Sequence, residues 1–133
     1  KKEYLAIVEG EPETEKFCID APIGILKGSH RGVGSQVTNA KSAKTEVQWL
    51  ASNKGQSLLK VSPLSGRTNQ IRVHLSSYGL PIYNDLVYGQ GSAGIYQYGL
   101  HAWSLEFQCF DRTMEFRVAP PAHFEPLLEI AKI

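Results

Sequence analysis

The sequence predicts an α+β fold, a mixed and mainly antiparallel sheet flanked by helices and loops, and three observations predict it. Short runs alternating polar and apolar residues recur at Lys2–Val8, Thr45–Ser52, Ser57–Leu64, Tyr98–Phe110 and Thr113–Pro121, the period-two pattern of half-buried strands. Two of these runs are separated only by Asn53-Lys54-Gly55-Gln56, a short glycine-containing connection that closes antiparallel hairpins. Helical spacing is confined to Arg67–Gly79 and the closing His123–Ile133.

Taken in order, Lys2–Val8 reads as a strand that ends at the break Gly10-Glu11-Pro12, which places Tyr4 on an ordered element. A second extended stretch centres on Phe17–Ile19, and Gly28–Lys44, rich in Gly, Ser, Asn and Lys, reads as loop. The hairpin follows, with Leu58 and Val61 expected on its buried face and Trp49 as a core or half-core anchor. In the next segment Ile71, Leu75 and Tyr78 recur on one helical face and Gly79 supplies a C-terminal stop. Pro81–Gly94 reads as loop. Two further strands meet at Asp111-Arg112, with Leu105 and Phe107 expected inside and Trp103 as a second anchor, and a short amphipathic helix ends the chain. No repeat and no interdomain linker interrupts this order.

At 133 residues, 42% hydrophobic and 20% charged, the chain has the composition of a folded domain and can bury roughly two-thirds of its unfolded surface. A net charge of +1 neither demands nor excludes a nucleic acid, so any anion site must be local. Cys18 and Cys109 stand far apart without metal-ligand spacing, which argues against zinc and a disulfide framework and favours a reducing compartment. No apolar run approaches the roughly 18 residues a membrane span needs, so no membrane partner is expected. The first residue is Lys and the only methionine is Met114, the expectation being a fragment or a processed product.

The most informative stretch is Ser62–Leu75, SPLSGRTNQIRVHL, which gathers Arg67, Gln70, Arg72 and His74 into a turn and a helix. Basic and amide groups near a helix start suit phosphate or carboxylate recognition, because free backbone N–H groups favour anions there. At 100° per residue Arg67 and Arg72 point about 140° apart, so they are expected to serve different tasks, with Arg67 and His74 nearly aligned. Arg72 falls beside the apolar stripe of Ile71 and Leu75, where an arginine calls for a carboxylate partner because an unpaired buried charge is strongly penalised. Arg67, Gln70 and His74, with Lys41 and Lys44 upstream, are the candidates for contact with RNA, against the plainer reading of a solvated face. The cations of the loop around His30 and Arg31 fit backbone contacts in the same way. Tyr4 on a strand would ordinarily be a packing residue.

Six motifs in order, KxYLAxVEG at Lys2–Gly10, KxAxT at Lys41–Thr45, GRTxQIRVHL at Gly66–Leu75, GxPIxxDxxYG at Gly79–Gly89, LHAxxLxF at Leu100–Phe107 and FxVAPP at Phe116–Pro121, resemble the RluA-type RNA pseudouridine synthases. The resemblance spans essentially the whole chain. It implies a pseudouridine synthase-like fold, isomerisation of uridine in RNA (rRNA or tRNA) to its C-glycoside, a catalytic aspartate, no cofactor and no metal; an oligomer is not indicated. The implied location is the cytoplasm, or the nucleus or an organelle in a eukaryote.

The family's aspartate belongs to an HRLDxxTSG segment upstream of the KxY motif, and no such segment lies between Lys1 and Ile133. Residues 1–133 are accordingly expected to be the C-terminal portion of a catalytic domain, incomplete and without a second domain, and inactive alone. Asp20, Asp85 and Asp111 do not stand in that context; the resemblance treats Asp85 as a loop-shaping residue. Two active-site roles carry over: Tyr4 packs on the target base, and Arg72 pairs with the upstream aspartate. An extruded base needs an aromatic face to steady it, and a reacting carboxylate needs a bidentate arginine to keep it ionised and aimed. Two positions depart from the pattern, Asn69 for the usual histidine of GRTHQIR and Asn84 for the usual glycine before Asp85. The alternative reading is a noncatalytic RNA-binding module on the same fold.

Overall fold

A computed structural model describes residues 1–91 and 97–133. Six strands form one sheet: β1 (Lys2–Glu9), β2 (Lys16–Asp20), β6 (Lys44–Asn53), β7 (Gln56–Pro63), β8 (Leu100–Cys109) and β9 (Arg112–Arg117), in the order β2-β6-β7-β1-β8-β9. A second sheet of three short strands, β3 (Ile23–Lys27), β4 (His30–Gly32) and β5 (Thr38–Lys41), runs β4-β3-β5. Every strand pairing in both is antiparallel. Helix α1 spans Gln70–Ser77 and α2 spans Glu125–Ala131, and no helix among the described residues is long and apolar enough to cross a membrane.

Strand β1 is central, and its residues explain the layering. Leu5, Ala6, Ile7 and Val8 are all buried, which one strand achieves only with both sheet faces covered. Ala6 and Val8 pack with Ile71 and Leu75 of α1, whereas Leu5 and Ile7 pack with Phe124 and Leu127 of the C-terminal segment. Helix α1 ends in a Schellman closure: Gly79 N–H bonds Ser76 O at 3.1 Å and Leu80 N–H bonds Leu75 O at 2.9 Å, with Gly79 at φ +92° where a Cβ would be strained. The turn of the β6–β7 hairpin is the two residues Lys54 and Gly55, both at positive φ, matching the twist of paired strands.

Two sequence expectations change. Gly28–Lys44 is not simply loop; it contains β4 and β5, and Arg31 and Lys41 lie on those strands across β3 from one another. Strands this short and rich in Gly and Asn carry no alternation to read. Leu58 and Val61 are fully buried, but Leu105 and Phe107 are 38% and 41% exposed, because β8 and β9 form the end of the sheet, where none of the three hydrophobic clusters of buried residues includes them. Trp49 and Trp103 are half-buried and pack against the two faces.

Candidate active site

Arg72 leaves α1 toward the loop Pro81–Gly89, where Asp85 waits. Its Nε donates to Asp85 Oδ2 at 2.9 Å and its Nη2 to Asp85 Oδ1 at 2.8 Å, the side-on bidentate geometry that fixes a guanidinium plane. Nη1 donates to Asn69 Oδ1 at 3.3 Å, and the guanidinium carbon lies 5.0 Å from the centre of the Tyr88 ring. Three of the five N–H groups are thereby used, and the guanidinium also hydrogen-bonds the Tyr98 phenol. Asp85 is 1% exposed, and its Oδ1 also accepts from the Val87 and Tyr88 backbone N–H groups at 3.0 and 3.1 Å. Burial alone would raise the Asp85 pKa, but the hydrogen bonds from Arg72, Tyr88 and Val87 outweigh it and hold the carboxyl below its ordinary value. The hydrogen bond to Asp85 likewise holds Arg72 above its ordinary value against burial, so the pair is ionised on both sides. The Tyr98 phenol stands beside this pair; burial lifts its pKa, which Arg72 opposes.

Within this chain Arg72 is already paired. Its present partner is Asp85, which sequence reasoning treated only as loop-shaping and which does both tasks. Asn69 and Tyr88 complete the support. Asn69 adopts φ +54° before the helix, a conformation asparagine tolerates, and its Nδ2 donates to Tyr88 Oη at 3.4 Å. The signal for Tyr88 was present in the YG of GxPIxxDxxYG but named no function.

Tyr4 lies on the α1 face of β1 and packs against that core. The β1–β8 register shifts between Glu3 and Tyr4, so that Trp103 is an extra residue on β8; bulges re-aim neighbouring side chains. Tyr4 and Arg72 line one cleft of about 300 Å³, together with Ser65, Arg67, Asn69 and Leu100, at the small end of ligand-sized cavities. Tyr4 also borders a more apolar trough of about 350 Å³ with Trp103, Leu105, Phe116 and Val118.

Gln70 and His74 require correction as RNA contacts. Both are buried, at 4% and 0% exposure, and their polar atoms are spent inside. Gln70 Nε2 donates to Lys44 O at 2.9 Å and Thr45 Oγ1 at 3.0 Å, and its Oε1 accepts from Ser65 Oγ at 2.8 Å and Arg67 N–H at 3.1 Å. His74 Nε2 lies 2.8 Å from Ala21 O and must donate there, so Nδ1 accepts from the Thr45 hydroxyl at 2.7 Å. Burial lowers the His74 pKa against the opposing pull of Ala21 O and Asp20, which keeps the ring neutral. The helical wheel misled because α1 begins only at Gln70: Arg67 belongs to the preceding turn, and the helix has the large sheet on one side and the small sheet on another. Among the described residues, no three His, Cys, Asp or Glu side chains converge as a metal site would require. Lys44 is exposed and lines neither cleft described here, whereas Lys41 and Arg67 share a third.

The profile of the family described as RNA pseudouridylate synthase matches residues 1–77. The chain belongs to that family. It is 43% identical over 111 residues to an uncharacterized RNA pseudouridine synthase of Zymomonas mobilis, covering 80% of this chain and 50% of that protein. It is 40% identical over 115 residues to the ribosomal large subunit pseudouridine synthase D of Nitrosomonas europaea, covering 80% of this chain and 33% of that one. Among solved structures, human RNA pseudouridylate synthase domain containing 1 superposes with a TM-score of 0.78 at 27% identity, over 90% of this chain and 54% of that chain. The chain therefore spans between a third and about half of these three proteins.

Proposed function

We propose that the protein containing this chain converts uridine in RNA to pseudouridine, and that Tyr4, Arg72 and Asp85 form the part of its active site carried here. The observation that supports this reading is the shared cleft of Tyr4 and Arg72, with the guanidinium held rigid by Asp85, Asn69 and Tyr88. The reaction breaks the bond from C1′ to N1 of uracil and forms the bond from C1′ to C5, with C5 losing its proton and N1 gaining one, so the base must be extruded, detached and turned while it stays in the site. Tyr4 supplies a face on which an extruded base can lie. Arg72 turns its guanidinium edge to the reacting carboxylate that the family resemblance assigns to the upstream HRLDxxTSG segment, keeping that carboxylate ionised and oriented. Asp85 is a positioning residue: it removes the rotational freedom of Arg72 before substrate arrives.

The test is conversion of labelled uridine in RNA by the full-length protein, wild type against Arg72→Met. The expected loss is about 100-fold or more in kcat, with RNA affinity little changed because Arg72 is assigned to the carboxylate and not to phosphates. Turnover by Arg72→Met at the wild-type rate would remove the role.

A further inference from the structure

A cleft of about 580 Å³ lies between the small sheet and the turn that precedes α1, lined by Gly24 and Ile25 on one side, Gly66 and Thr68 on the other, and carrying Arg31, Lys41 and Arg67. Strand pairing brings the cations there. Arg31 on β4 stands opposite Ile25, and Lys41 on β5 stands opposite Ile23, so the two flank β3 from either edge. Arg67 reaches in from the turn, its Nε tied to Ser42 O at 2.8 Å, while among the described residues neither Nη group takes part in an ion pair. No carboxylate lines the cleft, and among the described residues neither Arg31 nor Lys41 is ion-paired. Three like charges gathered in one concavity repel one another, a cost that an anionic occupant reverses.

The net charge of +1 hides this concentration. Glu9, Glu11, Glu13 and Glu15 fall in and around the β1–β2 connection, which meets the β6–β7 turn through Gly10 N–H to Gly55 O at 2.7 Å. Strand β7 runs from that turn to Pro63, and Gly66 and Arg67 follow, so about 25 Å of strand separates Glu9, opposite Gln56, from the cationic cleft.

The cleft also adjoins the Tyr4–Arg72 cleft: Gly66 and Arg67 line both. We infer that the cleft of Arg31, Lys41 and Arg67 holds the phosphodiester backbone of the RNA strand whose extruded nucleobase enters beside Tyr4. The identity of that strand rests on the uridine-isomerase reading; the anionic character of the occupant does not. Arg67, at the common rim, meets the phosphate nearest the extruded nucleotide, and Lys41 and Arg31 meet the next phosphates along β3.

The test uses the full-length protein and a fluorescein-labelled RNA hairpin with a single uridine in its loop, with binding measured across a series of KCl concentrations. Each phosphate neutralised on a single strand contributes about 0.7 to the slope of log affinity against log salt. Combined Arg31→Gln, Lys41→Gln and Arg67→Gln should make the slope shallower by about 2 and weaken binding about 100-fold at 0.1 M KCl. Arg67→Lys, which keeps the charge but loses the Ser42 contact, should keep most of the slope, and Lys54→Gln in the distant hairpin turn should keep all of it. An unchanged slope in the triple variant, or an equal change from Lys54→Gln, overturns the inference. Pseudouridine formation by the wild type is read in parallel: turnover with an unchanged slope sinks the cleft alone, whereas a shallower slope without turnover supports the cleft and removes the isomerase reading.

Discussion

Replacing Asp85 by Asn probes the support of Arg72 with a nearly isosteric change. The carboxylate accepts four hydrogen bonds, two from Arg72 and two from the Val87 and Tyr88 backbone. An amide cannot accept all of them in either orientation. With its oxygen toward Val87 and Tyr88, its NH2 meets the Arg72 Nε–H at the 2.9 Å now spanned by Oδ2; flipped, it meets two backbone donors. Breaking a fully buried ion pair from one side costs about 3–5 kcal/mol. The Arg72 side chain is 25% exposed against 1% for Asp85, so water recovers part of that loss, and about 2–3 kcal/mol remains. For a protein of 150–250 residues that corresponds to a fall in Tm of about 4–12 °C.

Thermal unfolding of the full-length Asp85→Asn variant measures the fall, and turnover of a uridine-containing RNA measures its consequence. As a positioning residue, Asp85 should affect kcat, by tenfold or more, with KM little moved. The sign with pH is also fixed. Asp85 is held below its ordinary value in the fold, so its stabilisation is present above about pH 4 and is lost as pH falls through the folded value. The gap between wild type and variant should therefore close in acid. A Tm within 2 °C of wild type, or a stability loss of the expected size with kcat unchanged, would refute the reasoning: the first denies the energetic coupling and the second denies that it positions Arg72.

Tyr88→Phe keeps the ring beneath Arg72 but removes the oxygen that accepts from Arg31 N–H at 3.0 Å; about 1–2 kcal/mol should be lost, and hydrogen exchange of the Arg31 amide should accelerate while amides in β6 and β7 keep their protection. His74 is neutral in the fold because burial lowers its pKa, so the unfolded chain takes up the proton first. The stability it contributes is full above about pH 6.5 and falls as pH drops from there toward the folded value, giving a wild-type decline in urea midpoint that His74→Gln should lack.

How much of this was legible in the sequence depends on what each residue's neighbours are. The strands of the large sheet and both helices were readable because each is long enough to carry a period or an apolar run, although β1 is covered on both faces and α1 packs on both sheets. The small sheet was not: β4 and β5 are three and four residues long, too short for a period, and are held by pairing to β3 instead of by a hydrophobic face. Tyr4 and Arg72 were singled out through motif order, and both line one cleft. Gln70 and His74 were misassigned because a polar side chain in a helix reads as surface unless its buried acceptors are visible. Those acceptors, Lys44 O, Thr45 Oγ1 and Ala21 O, lie 25 to 53 residues away, where no local pattern reaches.

The misplacement of Leu105 and Phe107 has the same origin and bears on the site. Alternation along β8 reports that one face is chemically suited to burial, and it says nothing of what lies against that face. Leu105 pairs with Phe116 and Phe107 with Met114 across β8 and β9, and the Phe107 and Phe116 rings stack at 5.9 Å between centroids, so the face is organised although it is open. It continues into the trough that reaches Tyr4. Tyr4 thus stands between an apolar wall and a charged one, with Trp103 bulged beside it on the first side and Arg72 fixed by Asp85 on the second. An aromatic ring in that position can hold a neutral base on its face while the ionic chemistry is confined to one edge. That division of labour explains why a change at Asp85 should be felt in rate before it is felt in binding.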